Sequence, residues 1–183
     1  MFRKSRNESC YINAKSRQAS DEIGNALEYY ISHADLLWTE LIFLCIGSDR
    51  ITGDCLGPLI GHQLDRPSIR PYTVYGTLDY PVHALNLADV LCDIQYTHPQ
   101  GLIIAIDACL GSSSHQGYIC VGKGSILPGA GVRKDLPAVG HIYITGIVNI
   151  AGILEYLTLQ TTRLSTVITL ADTITQGILG NFI

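Results

Sequence analysis

Two short runs constrain this chain more than anything else in it. Leu41 to Ile46 (LIFLCI) and Leu102 to Ile106 (LIIAI) are unbroken apolar segments, each bounded by turn-forming residues. A strand with one wet face alternates apolar and polar residues; an unbroken run belongs to a strand covered on both faces, as central parallel strands are. Helical spacing fills the intervals. Ser20-Asp-Glu reads as a helix start, and Ile23, Leu27, Tyr30, Ile31, Ala34 and Trp38 continue a buried stripe. Leu56, Leu59, Ile60 and Leu64 predict a second helix, with Pro58 tolerated in its first turn. Pro71 to Tyr75 reads as a short strand, and Val82 to Gln95 as a helix opened by Pro81. Tyr118 to Val121 and HIYITGIV (141–148) read as further strands or extended segments, and 149–160 and 164–178 as helices.

Strand, helix, strand, helix, strand is the order of an α/β sandwich with a mostly parallel central sheet between helical layers. At 183 residues one domain is expected, over 20–183. Residues 1–20 carry five Lys/Arg against one Glu, a net +4, which leaves −8 on the remainder. Residues 1–19 therefore read as a flexible basic extension, and a nucleic-acid contact is not the expected use of it. With no apolar run beyond six residues, no membrane span is expected, and the polar first 20 residues carry no secretory core segment. Six cysteines show no C-x-x-C pair, which fits a reducing cytoplasm. A homo-oligomer is compatible with this composition.

Both buried runs lead into acids. CIGSDRITGDCLGPLIG (45–61) places Asp49, Arg50 and Asp54 beyond the first strand, and GLIIAIDACLG (101–111) ends the second in Asp107. Ligands in open α/β sheets bind outside the carboxyl ends of the strands, so Asp54 and Asp107 are brought to one edge. Two adjacent carboxyls cannot both ionise easily; one keeps a proton while the other can deprotonate a water, or the two can share a metal. Asp79, in GTLDYP, is a candidate third acid on the rim. The competing roles are local: Asp54 as a helix cap, Asp107 as a partner of turn amides, and Asp49 with Arg50 as a surface pair. The phosphate-binding loop, the dinucleotide fingerprint and the G-x-S-x-G elbow are all missing. Cys55 and Cys109 follow acids, whose charge disfavours a thiolate. The loop 123–140 (KGSILPGAGVRKDLPAVG) has the length of a lid.

Taken together, CIGSDRITGDCLGPLIG, VYGTLDYPVHAL, LIIAIDACLG, ITGIVNIAGILEY and TRLSTVITLADTITQGI resemble the sporulation protein family often labelled spore protease, related to germination protease and the hydrogenase maturation proteases. The resemblance runs from about residue 22 to 180. It implies a phosphorylase/hydrolase-like three-layer fold and a peptidase of sporulation or germination, with small spore proteins as substrates. Germination protease carries two aspartates implicated in peptide hydrolysis at the places of Asp54 and Asp107. In the maturation proteases those places hold metal-binding carboxylates joined by a histidine, for which His141 is the candidate here. Ser48 stands where both relatives have Asn, and Gly53 replaces an acid of the maturation proteases, which favours the metal-free reading. No cofactor is then expected, and a divalent ion only in the maturation-protease reading. Thr145 and Asn149 are candidate oxyanion donors, and Asp49 and Asp79 candidate substrate contacts. The alternatives are a non-catalytic spore assembly factor and a metal-dependent maturation protease.

Overall fold

The computed structural model describes residues 9–66, 71–129 and 136–182. Six strands form one sheet: β1 (Ser9–Asn13), β2 (Glu40–Cys45), β3 (Tyr72–Tyr75), β4 (Gly101–Gly111), β5 (Tyr118–Lys123) and β6 (Ile142–Ile150), in the order β1-β5-β6-β4-β2-β3. The two unbroken apolar runs lie at its centre. β2 pairs in parallel with β3 on one side and β4 on the other, and β4 pairs in parallel with β6. β5 and β1 extend the sheet antiparallel.

The helices are α1 (Ala19–Ser32), α2 (Leu56–Leu64), α3 (Leu87–Thr97), α4 (Glu155–Gln160) and α5 (Leu164–Phe182). Strand alternation divides the sheet side chains between two cores. Phe43, Ile104, Ile106 and Ile144 join the larger core with Leu27 of α1, Ile60 of α2 and Ile174 of α5. Ile42, Leu44 and Ala105 join Leu87 and Ile94 of α3 in a smaller one. The architecture is thus a mixed α/β fold whose mostly parallel sheet is flanked by helices.

Four local expectations shift. Residues 9–19 are part of the domain, because Ser9–Asn13 forms an edge strand on β5 and buries Ile12 to 1% exposure. Burying one isoleucine is worth roughly 1.5–3 kcal/mol, enough with the ladder bonds to hold a five-residue strand. Residues 1–8 of the expected basic extension lie outside the described residues, as do residues 130–135 of the loop 123–140. Ser20 does not cap α1: the helix begins at Ala19, and the Ser20 hydroxyl donates to Gln176 Oε1 on α5. α3 starts at Leu87 rather than near Val82, because Val82 bridges to Ile46 and extends the parallel sheet for one residue. β6 runs to Ile150, so only the end of the 149–160 stretch is helical.

No described helix is long and apolar enough to cross a membrane.

Candidate active site

The chain goes from β2 through α2 to β3 on one side of it, then through α3 to β4 on the other. The connections therefore part at the carboxyl ends of β2 and β4, the place where sheets of this kind open a crevice. The β2–β4 ladder ends at Cys45 opposite Ile106, closed by the Ile46 N–H donating to the Ile106 carbonyl at 2.7 Å. β4 continues to Gly111 with β6 as its neighbour, so Asp107 is not a strand end as expected. It is the first β4 residue that β2 no longer flanks.

Gly47 makes the turn that frees this space. Its φ of 145° lies where side chains are strained, and a Cβ there would collide with the Asp54 carbonyl oxygen. Two consecutive amides of the turn tie its surroundings together. Gly47 N–H donates to the Val82 carbonyl at 2.8 Å, and Ser48 N–H to the Asp54 carbonyl at 3.1 Å. Asp54 lies in a short 3-10 turn, Thr52–Cys55, that leads into α2 and makes no side-chain cap. The local capping role is therefore not the one Asp54 fills.

Asp54 and Asp107 line the same cleft of about 560 Å³. Apolar groups form much of its wall, among them Ile51, Leu85, Pro128, Leu136 and Leu159, and Asp49 and Arg50 stand exposed at its rim. Asp107 is buried, at 6% exposure. Burial and then the Asp54 charge push its carboxyl well above the usual range, against the amides of Ala108 and Gly129, which favour the anion. Ala108 N–H donates to Asp107 Oδ1 at 2.8 Å. Burial also raises Asp54, while the Ser48 amide and the His83 charge pull it down. The two carboxyls are thus electrostatically coupled and unequal: both line the cleft, and Asp107 is the more deeply buried.

The other sequence candidates fall elsewhere. Asp79 is exposed in a neighbouring hollow with Thr77 and Tyr80. Thr145 is the register partner of Asp107 on β6, yet it opens onto a groove with Cys109, Cys120 and Tyr143 on the uncovered part of the sheet. Asn149 ties β6 to the end of α4: its amide donates to the Thr158 carbonyl and the Thr162 hydroxyl, both at 3.2 Å. Neither Thr145 nor Asn149 lines the carboxyl cleft, so neither is placed to donate to an oxyanion there. His141 sits at the other end of the ladder, in register with Ile103, whose N–H its Nδ1 accepts at 3.0 Å. Asp107 is four residues farther along, about 13 Å at 3.3 Å per residue, so His141 does not join the two aspartates as a third ligand. A Cβ on Gly53 would meet the Leu159 Cα and carbonyl oxygen at 2.9 Å. Among the described residues, no three His, Cys, Asp or Glu side chains converge as a metal site.

The thiols are poor nucleophiles. Burial followed by the Asp54 and Asp49 charges raises Cys55, whose Sγ donates to the Thr52 carbonyl at 3.0 Å, and burial pushes Cys109 up to about 11. Sequence reasoning missed His83, which lines the cleft, and Tyr156 and Leu159 of α4, which close one side of it. His83 had a signal: like Asp54 it lies in a segment that follows a strand of the parallel set, within VYGTLDYPVHAL. Tyr156 had none, because the 149–160 stretch gives no sign of where β6 ends.

A family model described as a protein of unknown function, DUF1256, matches residues 11–177. The chain is also 47% identical over 138 residues, 75% of its length and 67% of the relative's, to the uncharacterized protein YyaC of Bacillus subtilis strain 168. The family model's span, from within β1 to within α5, contains both aspartates and every residue that lines the cleft. The chain belongs to the DUF1256 family.

Proposed function

We propose that the cleft is the reaction centre of a peptidase in which Asp54 and Asp107 divide the work of one acid and one base. The observation that carries this reading is the inequality of two coupled carboxyls at one cleft: Asp107 is raised by burial and then by the Asp54 charge, while Asp54 is less deeply buried and an amide and a histidine oppose the upward push of burial. Carboxyls pushed apart in this way are how acid and base roles are assigned at neutral pH.

In the reaction, the Asp54 carboxylate accepts a proton from a water in the cleft as its oxygen adds to the peptide carbonyl carbon. Asp107, protonated, hydrogen-bonds the oxygen that becomes negative. The proton taken by Asp54 then passes to the nitrogen as the C–N bond breaks, giving a carboxylic acid and an amine and consuming one water. The apolar wall suits an uncharged side chain next to the scissile bond. It also excludes bulk water, which strengthens each of these interactions. Kinship of the fold with germination protease and the hydrogenase maturation proteases, and small spore proteins as substrates, belong to the same proposal and rest on the sequence resemblance. A second reading, a non-catalytic binding factor, is favoured by the exposed apolar rim: Leu85 is 76% and Tyr156 48% exposed.

The test is cleavage of unfolded proteins and peptides by the purified chain, followed by mass spectrometry. Asp54→Asn and Asp107→Asn are each expected to lower the rate by roughly 100-fold or more. Cleavage that survives in either variant contradicts the peptidase reading. Binding unchanged in both variants, with no cleavage by the wild type, selects the binding factor.

A further inference from the structure

We propose that His83 helps to set the roles of the two carboxyls, favouring ionisation of Asp54 and leaving the proton on Asp107. The inference rests on the peptidase reading for its chemical meaning, but its physical content, which carboxyl ionises first, is independent of turnover.

The placement of His83 is fixed by the same turn that fixes Asp54. Gly47 N–H holds the carbonyl of Val82, the residue before His83, while the next amide, Ser48 N–H, holds the carbonyl of Asp54. A two-residue backbone clamp thus joins the segments that carry the imidazole and the carboxyl. The His83 backbone is locked on its other side as well. Its N–H donates to Asn86 Oδ1 at 2.8 Å, its carbonyl accepts the Leu87 N–H at 3.0 Å, and Asn86 Nδ2 donates back to the Pro81 carbonyl at 3.0 Å. These bonds explain why α3 waits until Leu87 to begin.

The ring is oriented too. His83 Nδ1 accepts the Leu85 N–H at 3.3 Å, so the neutral ring carries its hydrogen on Nε2. The protonated ring also carries a hydrogen there. In either state Nε2 is a donor, a group that favours a carboxylate over a carboxylic acid. The charged and titratable groups around the pair are Asp107 of β4, Asp49 and Arg50 of the turn after β2, and Tyr156 of α4. On the outer side of His83 are Asp79 and Asp65. Arg50 and Asp49 are exposed on the rim and screened by solvent, whereas His83 and Asp54 share the cleft wall. Among the described residues, the groups that act on Asp107 are the Asp54 charge and the amides of Ala108 and Gly129, with no cation among them. Burial weighs more on Asp107 than on Asp54, and on Asp54 the Ser48 N–H acts before the His83 charge; His83 is the side chain among the groups that lower Asp54.

His83 is on this account a positioning residue, and its removal should move an ionisation rather than merely lower activity. The experiment is a carbon-13 titration of the aspartate carboxyls in the full chain, with Asp54 and Asp107 assigned through their Asn variants. It compares the wild type with His83→Gln, which removes the imidazole, and His83→Lys, which places a fixed cation there; melting curves check that both variants fold. The expected result is an Asp54 midpoint that moves up in His83→Gln and returns toward the wild-type value in His83→Lys. An unmoved Asp54, or a larger movement at Asp107, overturns the proposal. Where cleavage is measured, His83→Gln should move the acid limb of kcat/KM to higher pH, with a roughly tenfold loss there and a smaller one at the plateau. Loss by one factor at every pH marks a merely structural role and also overturns it. A wild-type chain that cleaves nothing overturns the peptidase reading instead, and the carboxyl titration still decides the role of His83.

Discussion

Asp107 lies inside β4, yet the charge that most affects it comes from Asp54, 53 residues earlier in the chain, on the turn that ends β2. The two are neighbours because β2 and β4 are adjacent parallel strands and because Gly47 turns the chain away just where β4 runs on. A buried carboxyl next to a like charge carries a cost in stability, and that cost can be measured.

Asp107 titrates higher in the folded chain than in the unfolded one. Its contribution to stability is therefore complete below the unfolded carboxyl range and is lost as pH rises through the folded midpoint. Asp54 has the same sign. Asp107→Asn keeps an oxygen for the Ala108 N–H and removes the ionisable group. Its melting temperature should exceed that of the wild type at neutral pH and converge with it in acid. Each kcal/mol recovered corresponds to about 2–4 °C for a domain of this size. Calorimetry across that pH range is the check.

Gly47→Ala should be severe. The new methyl would collide with the Asp54 carbonyl oxygen in a backbone region that side chains avoid, so a loss of about 2 kcal/mol or more is expected in urea unfolding. Gly152→Ala, with nothing near its Cβ, is the control that should change little.

His141→Ala should leave any cleavage activity unchanged while lowering stability by about 0.5–1 kcal/mol, the net worth of a hydrogen bond that water can replace at the Ile103 N–H. Asn149→Ala should behave in the same way, losing the ties to Thr158 and Thr162. Parallel denaturation and activity assays separate these effects from those of Asp54→Asn.

Ile12→Ala should cost about 2–4 kcal/mol, although Ile12 lies in a stretch whose composition reads as a loose basic extension. An exposed neighbour on the same strand, Tyr11→Ala, should cost far less, since Tyr11 is 55% exposed.

The central sheet was legible because LIFLCI and LIIAI carry a pattern that only strands covered on both faces need, and the two acids were legible because they follow those runs. What stayed hidden depends on contacts remote in sequence. Ser9–Asn13 becomes a strand because β5 offers an edge, and its five residues carry too weak a pattern to announce that. Val82 reads as helical until Ile46 draws it into the sheet. His141 reads as close to Asp107 because both begin or end strands, but in a parallel pair the start of β6 lies beside the start of β4, not its end. His83 was legible only through its place after β3, because the hydrogen bonds of Gly47 and Asn86 fix the rest.

The most direct measurement is the carboxyl titration of Asp107 in the wild type and in Asp54→Asn. The account predicts a wild-type midpoint above the ordinary aspartate range that falls when Asp54 loses its charge. A midpoint in the ordinary range, or one that ignores the change at Asp54, would contradict the claim that the two carboxyls share one cleft and one proton.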